Sequence, residues 1–123
     1  MRVLLATDNP DFGHALSLFL GERSIQVLDV TADADDLVQW AAAGRPDAVL
    51  LDWRLGEAVS RRLVDDLMSC ADPTPVIVLS TTEQRDRARA CGAAGHACLG
   101  DHPDALLAVL DEIGGNGRDE IRG

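Results

Sequence analysis

Lysine and tyrosine are absent from this sequence, and all eleven of its basic residues are arginine. Chemistry that needs a lysine amine or a tyrosine hydroxyl is therefore excluded, including Schiff-base formation and the phosphate-binding lysine of a P-loop. Cysteine is scarce, and Cys70, Cys91 and Cys98 have no Cys-x-x-Cys spacing. This pattern favours a reduced cytoplasmic protein over a disulfide framework or a zinc site.

Positive charge and long apolar runs are also scarce. Asp and Glu total 21 against 11 arginines, a net charge of −10. This argues against nucleic acid or an anionic membrane as a partner, because both bind basic surfaces. The apolar runs are only a few residues long, so we expect neither a membrane span nor a signal peptide. With 123 residues, 46% of them hydrophobic, the chain is long enough for one domain with a packed core.

Short apolar segments alternate with longer amphipathic ones, which predicts five strands separated by helices. The predicted strands cover residues 3–6, 25–30, 48–52, 76–79 and 96–99. Strands that are apolar on both faces are typical of a parallel sheet covered by helices on both sides. With right-handed crossovers, the expected fold is a flavodoxin-like (βα)₅ doubly wound parallel sheet with strand order 2-1-3-4-5.

The last two predicted helices define the end of the domain. A fourth helix is expected over residues 81–92, and Pro103 is typical of the start of a fifth. Gly114 and the glycines that follow it are expected to end this fifth helix. We therefore predict a domain over residues 1–113 and a flexible tail or the start of a linker over residues 114–123.

Polar residues follow three of the predicted strands, at the edge where such sheets bind their ligands. Thr7 and Asp8 follow strand 1, Asp52 ends strand 3, and Ser80 follows strand 4. Two neighbouring carboxylates repel unless a cation lies between them, and oxygen ligands favour Mg²⁺. A carboxylate beside Mg²⁺ can attack a phosphoryl group and form an aspartyl phosphate. Alternatively, these aspartates only cap the next helix, which is less expected for Asp52 because no helix start follows it.

Three segments resemble the receiver domains of two-component response regulators. Residues 46–55 resemble the strand of that family that ends in its phosphorylated aspartate, and residues 75–80 and 92–103 resemble the two strand segments that follow. The similarity spans roughly residues 2–113. It implies a signalling module rather than an enzyme, with a histidine kinase or another signalling protein as its partner.

The resemblance also implies a role for each residue at the sheet edge. Asp52 corresponds to the phosphoacceptor and Ser80 to the switch hydroxyl that binds the phosphoryl group. Asp8, Asp52 and the backbone carbonyl of Arg54 correspond to the Mg²⁺ ligands. We expect Trp53, which follows Asp52, to be half exposed and to report Mg²⁺ binding by its fluorescence.

Five positions depart from the family pattern. Thr7 replaces the first of two acids, which predicts weak Mg²⁺ binding, and Gly56 replaces a proline, which predicts a looser loop. His96 stands at the switch aromatic, Leu99 at the near-invariant lysine and Gly100 at the proline that often follows. Without the lysine, the phosphorylated state loses a charge-assisted contact of about 1.5–3 kcal/mol. That loss is comparable with a typical switching free energy of about 1–3 kcal/mol, so we expect weakened or absent phospho-switching.

Other functions stay open at this stage. A phosphorylation-independent pseudo-receiver that acts only through protein contacts fits the same residues. A small Mg²⁺-dependent phosphohydrolase fits less well, because no Asp-x-Asp follows a strand and no second acid–base candidate accompanies Asp52. A flavin or dinucleotide site is disfavoured because no Gly-x-Gly-x-x-Gly follows strand 1.

A partner surface is expected on helix 4, strand 5 and helix 5. Arginines on helix 4 could pair with acids on helix 5 across a two-fold homodimer. The residues concerned are Arg85, Arg87 and Arg89, and Asp104, Asp111 and Glu112. His96 on strand 5 can change its charge near neutral pH, so it could make this surface pH-sensitive.

Overall fold

The computed structural model describes residues 1–44, 46–69, 73–99 and 103–122, with residues 114–122 described by their backbone alone. It confirms the predicted alternation of five strands and five helices. The elements are β1 (Arg2–Ala6), α1 (Pro10–Gly21), β2 (Gln26–Thr31), α2 (Ala34–Gly44), β3 (Ala48–Asp52), a 3₁₀ helix (Trp53–Leu55), α3 (Glu57–Met68), β4 (Val76–Ser80), α4 (Arg85–Arg89), β5 (Gly95–Cys98) and α5 (Asp104–Arg122).

The five strands form one parallel sheet in the order β2-β1-β3-β4-β5, as predicted. Every residue of β3 and β4 is buried, because these central strands carry apolar side chains on both faces. The strand order reverses between β1 and β3, and Ala6 lies opposite Leu51 there. Asp52, the last residue of β3, lies opposite Leu79 of β4.

Alternating side chains of the strands divide the core into two layers. Val49 and Leu51 of β3 lie in the layer covered by α2 and α3, which contribute Leu37 and Leu63 among others. Ala48 and Leu50 lie in the layer covered by α1 and α5. Side chains alternate across a strand, so one apolar segment supplies both layers. This packing holds the carboxyl ends of β1, β3 and β4 at one edge of the sheet.

Two helices differ from their predicted extents. The fourth was expected over residues 81–92, but α4 contains only Arg85–Arg89. The Gln84 side chain accepts the backbone N–H of Thr81 at 3.4 Å, so this capping contact forms a turn before the helix. The predicted end of the last helix at Gly114 is wrong, because α5 continues to Arg122. Glycine costs a helix only about 1 kcal/mol per residue and does not forbid it.

The division of the chain into a domain over 1–113 and a tail over 114–123 stays a prediction. Within the described part of the chain, no helix is both long enough and apolar enough to cross a membrane.

Candidate functional site

Asp52 is the centre of the candidate site and is fully buried at the end of β3. Its Oδ1 accepts the backbone N–H of Arg54 at 2.9 Å, so the side chain caps the 3₁₀ helix that follows. The expectation that no helix start follows Asp52 is therefore wrong. The cap leaves Oδ2 and the second lone pair of Oδ1 for other donors.

The Arg54 guanidinium lies on the same carboxylate. Its Nε donates to Asp52 Oδ1 at 2.9 Å and to Oδ2 at 3.2 Å, and its Nη2 donates to Oδ2 at 2.9 Å. The hydrogen bond with Asp52, and then the charges of Asp52 and Asp8, raise the pKa of Arg54, against the lowering effect of its burial. This ion pair was not predicted from the sequence, where only the backbone carbonyl of Arg54 was expected to act.

Thr7 supplies a further donor to Asp52. Its buried hydroxyl donates to Asp52 Oδ2 at 2.8 Å and accepts the backbone N–H of Asn9 at 3.2 Å. The residue at the family's first acidic position therefore lies against the Asp52 carboxylate. It offers a neutral donor where a second negative charge would otherwise be.

Asp8 lies at the same edge and is exposed to solvent. The described residues contain no group of three or more His, Cys, Asp or Glu side chains placed to hold a metal. By chemistry, the carboxylates of Asp8 and Asp52 and the backbone carbonyl of Arg54 fit Mg²⁺, which prefers oxygen ligands. The Arg54 guanidinium contacts both oxygens of Asp52, so it competes with a cation at that ligand.

Ser80 and His96 are joined by a hydrogen bond. Ser80 is fully buried at the end of β4, and its Oγ lies 2.6 Å from His96 Nε2 on β5. Either group is the donor, depending on the imidazole tautomer. The predicted switch hydroxyl is thus bonded to the residue at the predicted switch-aromatic position. Where Ser80 is the donor, a phosphoryl group that accepts the Ser80 hydroxyl proton has to compete with His96 for it.

Leu99, which stands at the family's lysine position, packs on the layer covered by α1 and α5. It lines a cavity of about 100 Å³ together with Phe12, Leu79 and Leu106. Its backbone N–H donates to the Ser80 carbonyl at 2.7 Å. The β5 end therefore offers Asp52 no side-chain cation at Leu99, and Gly100 lies outside the described residues.

Trp53 differs from its expected state, and Gly56 adopts a backbone conformation that bears on its place in the loop. Trp53 is only 2% exposed and packs in the layer covered by α2 and α3, so the expectation of a half-exposed side chain is wrong. Gly56 has a φ of 121° where α3 begins. Proline is fixed near a φ of about −65° and cannot adopt this conformation. The glycine therefore permits a turn that the family's usual residue would forbid here.

The surface of α4, β5 and α5 is charged beside His96. Arg89 and Glu112 line a groove of about 330 Å³ that His96 also lines. Arg87 instead lies 3.7 Å from Glu57 at the start of α3, so it faces away from the expected acids of α5. A homodimer through this surface stays a prediction.

Several solved structures of similar fold are described as receiver domains. That of a modulated diguanylate cyclase from Desulfovibrio desulfuricans G20 is 22% identical, with a TM-score of 0.78 and 97% of each chain covered. That of a sensor histidine kinase from Pseudomonas aeruginosa PAO1, with a magnesium ion coordinated in its active-site cleft, is 24% identical, with a TM-score of 0.75, and covers 92% of this chain and 97% of its own. One from Bermanella marisrubri is 19% identical, with a TM-score of 0.79 and coverage of 91% and 96%.

No curated protein compared with the chain matches it significantly. The comparison with protein families, in contrast, agrees with the structural one. The family described as response regulator receiver domain matches residues 3–99, a segment that includes Asp52, Ser80 and His96. Receiver domains are signalling modules that interact with histidine kinases and other signalling proteins. The chain, with its 2-1-3-4-5 parallel sheet and its aspartate at the end of β3, belongs to the response regulator receiver domain family.

Proposed function

We propose that this chain accepts a phosphoryl group on Asp52 and acts through protein–protein contacts, with little phospho-switching. The observation that carries the proposal is the buried Asp52 carboxylate at the end of β3, with Thr7 and Arg54 orienting both of its oxygens. An Asp52 oxygen attacks the phosphorus of a histidine kinase phosphohistidine or of a small acyl phosphate. The bond from phosphorus to the leaving nitrogen or oxygen breaks, and the leaving group takes its electron pair.

Asp8, Asp52 and the backbone carbonyl of Arg54 would hold Mg²⁺ during this reaction. The ion would shield the negative charge shared by the carboxylates and the phosphoryl oxygens. We expect weak binding, because Thr7 adds no charge and the Arg54 guanidinium is already on Asp52. Removing the carboxylate in Asp8→Ala should weaken Mg²⁺ binding measured by calorimetry. An unchanged titration would contradict this placement of the metal.

Weak switching is supported at two positions. Leu99 has no donor for a phosphoryl oxygen, and the Ser80 hydroxyl is engaged by His96. The same observations favour a second candidate function, a pseudo-receiver whose partner binding does not depend on phosphorylation. In both cases the partner surface includes α4, β5 and α5, beside the groove that Arg89 and Glu112 line.

Intact mass after incubation with acetyl phosphate and Mg²⁺ separates the two functions. We expect wild type to gain one phosphoryl group that hydroxylamine removes, because an acyl phosphate is labile to this nucleophile. Asp52→Asn keeps the side-chain shape without the nucleophile and should gain none. A label on Asp52→Asn that survives hydroxylamine would refute the assignment. An unlabelled wild type would favour the pseudo-receiver.

A further inference from the structure

We propose that Arg54 is the resident cation of this site. Its guanidinium competes with divalent cations for Asp52 in the unmodified chain and binds the phosphoryl oxygens once Asp52 is phosphorylated. The second part rests on the proposed function, and the first part does not. This role of the Arg54 side chain was not predicted from the sequence, where Arg54 was expected to act only through its backbone carbonyl.

The contacts of Arg54 are those of a specific ion pair. Three N–H···O contacts between 2.9 and 3.2 Å join its guanidinium to both oxygens of Asp52, and its backbone N–H adds a fourth. The planar guanidinium matches a carboxylate or a phosphate with two parallel hydrogen bonds, which a lysine ammonium cannot do. The group that holds Asp52 is therefore also suited to the larger anion that would replace the carboxylate.

The position of Arg54 allows both states. Its side chain is 36% exposed, whereas that of Asp52 is 1% exposed, so the guanidinium reaches a buried anion from the solvent side. The Phe12 ring lies 5.0 Å from Arg54 Cζ and supports the guanidinium through a cation–π contact. A phosphoryl group on Asp52 extends outwards from the carboxylate, and Arg54 can follow it without disturbing the core.

Arg54 also supplies the positive charge that the family's lysine would otherwise bring to the phosphoryl group. The family's lysine lies at the end of β5, where Leu99 stands here, but Arg54 follows β3. A cation on the β3 side can neutralise the phosphoryl group without pulling on β5. Binding of the phosphoryl group is thereby separated from movement of the β5–α5 surface.

The first arm of the test uses Mg²⁺ alone, without a phosphodonor. Arg54→Met keeps the side-chain length and removes the charge, so Mg²⁺ should bind at least tenfold more tightly by calorimetry, a difference of about 1.4 kcal/mol. Arg61→Met is the matched control, because Arg61 is 45% exposed and pairs with Glu57 at 3.6 Å, away from Asp52. It should bind Mg²⁺ as wild type does. Equal Mg²⁺ affinity of Arg54→Met and wild type would overturn the proposal.

The second arm uses beryllium fluoride, a phosphoryl mimic, at saturating Mg²⁺. Arg54→Met should bind it at least tenfold more weakly than wild type, and Arg54→Lys should lie between the two. Equal affinities would overturn phosphoryl binding by Arg54.

If wild type forms no adduct and takes no label from acetyl phosphate, the proposed function fails and phosphoryl binding fails with it. Tighter Mg²⁺ binding by Arg54→Met would still establish Arg54 as the resident cation. Thermal unfolding confirms that each variant is folded.

Discussion

At the scale of single residues, the site is governed by how the buried charge of Asp52 is balanced. A buried carboxylate is tolerated only when it is paired and hydrogen-bonded. Thr7 and Arg54 meet this requirement within the chain itself. The charge of Asp52 is therefore paired and hydrogen-bonded within the chain, whereas two adjacent acids would repel unless a cation lay between them.

The Thr7 position tests this balance directly. Thr7→Asp places a second carboxylate against Asp52, so we expect a lower free energy of unfolding in EDTA than for wild type. Mg²⁺ should then stabilise Thr7→Asp more than wild type, because at a given concentration a ligand that binds the folded state more tightly stabilises it more. Urea denaturation with and without Mg²⁺ measures both effects. Thr7→Ser, which keeps the hydroxyl, is the control. Equal Mg²⁺ stabilisation of Thr7→Asp and wild type would contradict the account.

The residues of the site were easier to predict from the sequence than the contacts between their side chains. The places of Asp52 and Ser80 at strand ends follow from where the apolar runs stop. The Arg54 ion pair depends on the rotamer of a half-exposed side chain, which no periodicity encodes. The burial of Trp53 was missed for a related reason, since Trp53 lies in a 3₁₀ helix capped by Asp52 and this helix was not predicted.

At the scale of elements, the link from β3 to α3 sets the shape of the site. The chain passes through the 3₁₀ helix and then turns sharply at Gly56, where φ is 121°. Such a φ strains any residue with a side chain, by about 1–3 kcal/mol. Within the 3₁₀ helix, the Arg54 backbone N–H and side chain contact the same carboxylate.

We therefore expect Gly56→Ala to lower the free energy of unfolding by about 1–3 kcal/mol. Gly21→Ala is the matched control, because Gly21 ends α1 with no atom within 4 Å of an added Cβ. It should leave stability unchanged or raise it slightly, since alanine favours helix. Urea denaturation measures both variants. A Gly56→Ala protein as stable as wild type would show that the turn is not strained by a side chain.

A substitution on the inner face of α3 is expected to raise stability rather than lower it. The buried Ser60 hydroxyl has no hydrogen-bond partner among the described residues. Ser60→Ala should therefore raise the free energy of unfolding by about 1 kcal/mol, because it removes an unsatisfied polar group. Ser17→Ala is the contrasting control, since the Ser17 hydroxyl donates to the Gly13 carbonyl at 2.7 Å. Destabilisation of Ser60→Ala in thermal or urea unfolding would indicate that this hydroxyl is satisfied.

The strands were easier to predict than the helix ends. Short unbroken apolar runs bounded by turn residues indicate β3 and β4, because runs of this length are typical of buried strands. The ends of α4 and α5 depend instead on small differences in free energy between turn and helix conformations. The Thr81–Gln84 contact forms in a turn as readily as in a helix, and glycines weaken α5 without ending it.

At the scale of the whole molecule, we propose that two parts of a receiver's switch are separated. The anion at Asp52 is held from the β3 side by Arg54, whereas the β5 end carries Leu99 packed on the α1–α5 layer. The doubly wound order was predictable, since apolar strands alternating with helices permit few other arrangements. The separation was not predictable in full. The sequence shows that the lysine is missing, but it does not show that Arg54 pairs with Asp52.

The most direct test of this separation is a comparison of backbone amide NMR spectra with and without beryllium fluoride and Mg²⁺. In wild type, we expect shift changes in the residues around Asp52, which confirm that the adduct forms, and little change in β5 and α5. In Leu99→Lys, the added ammonium can bond the adduct from β5, so the changes should extend into β5 and α5. Changes in wild-type β5 and α5 as large as those beside Asp52 would contradict the account, because the switch would then operate without its lysine.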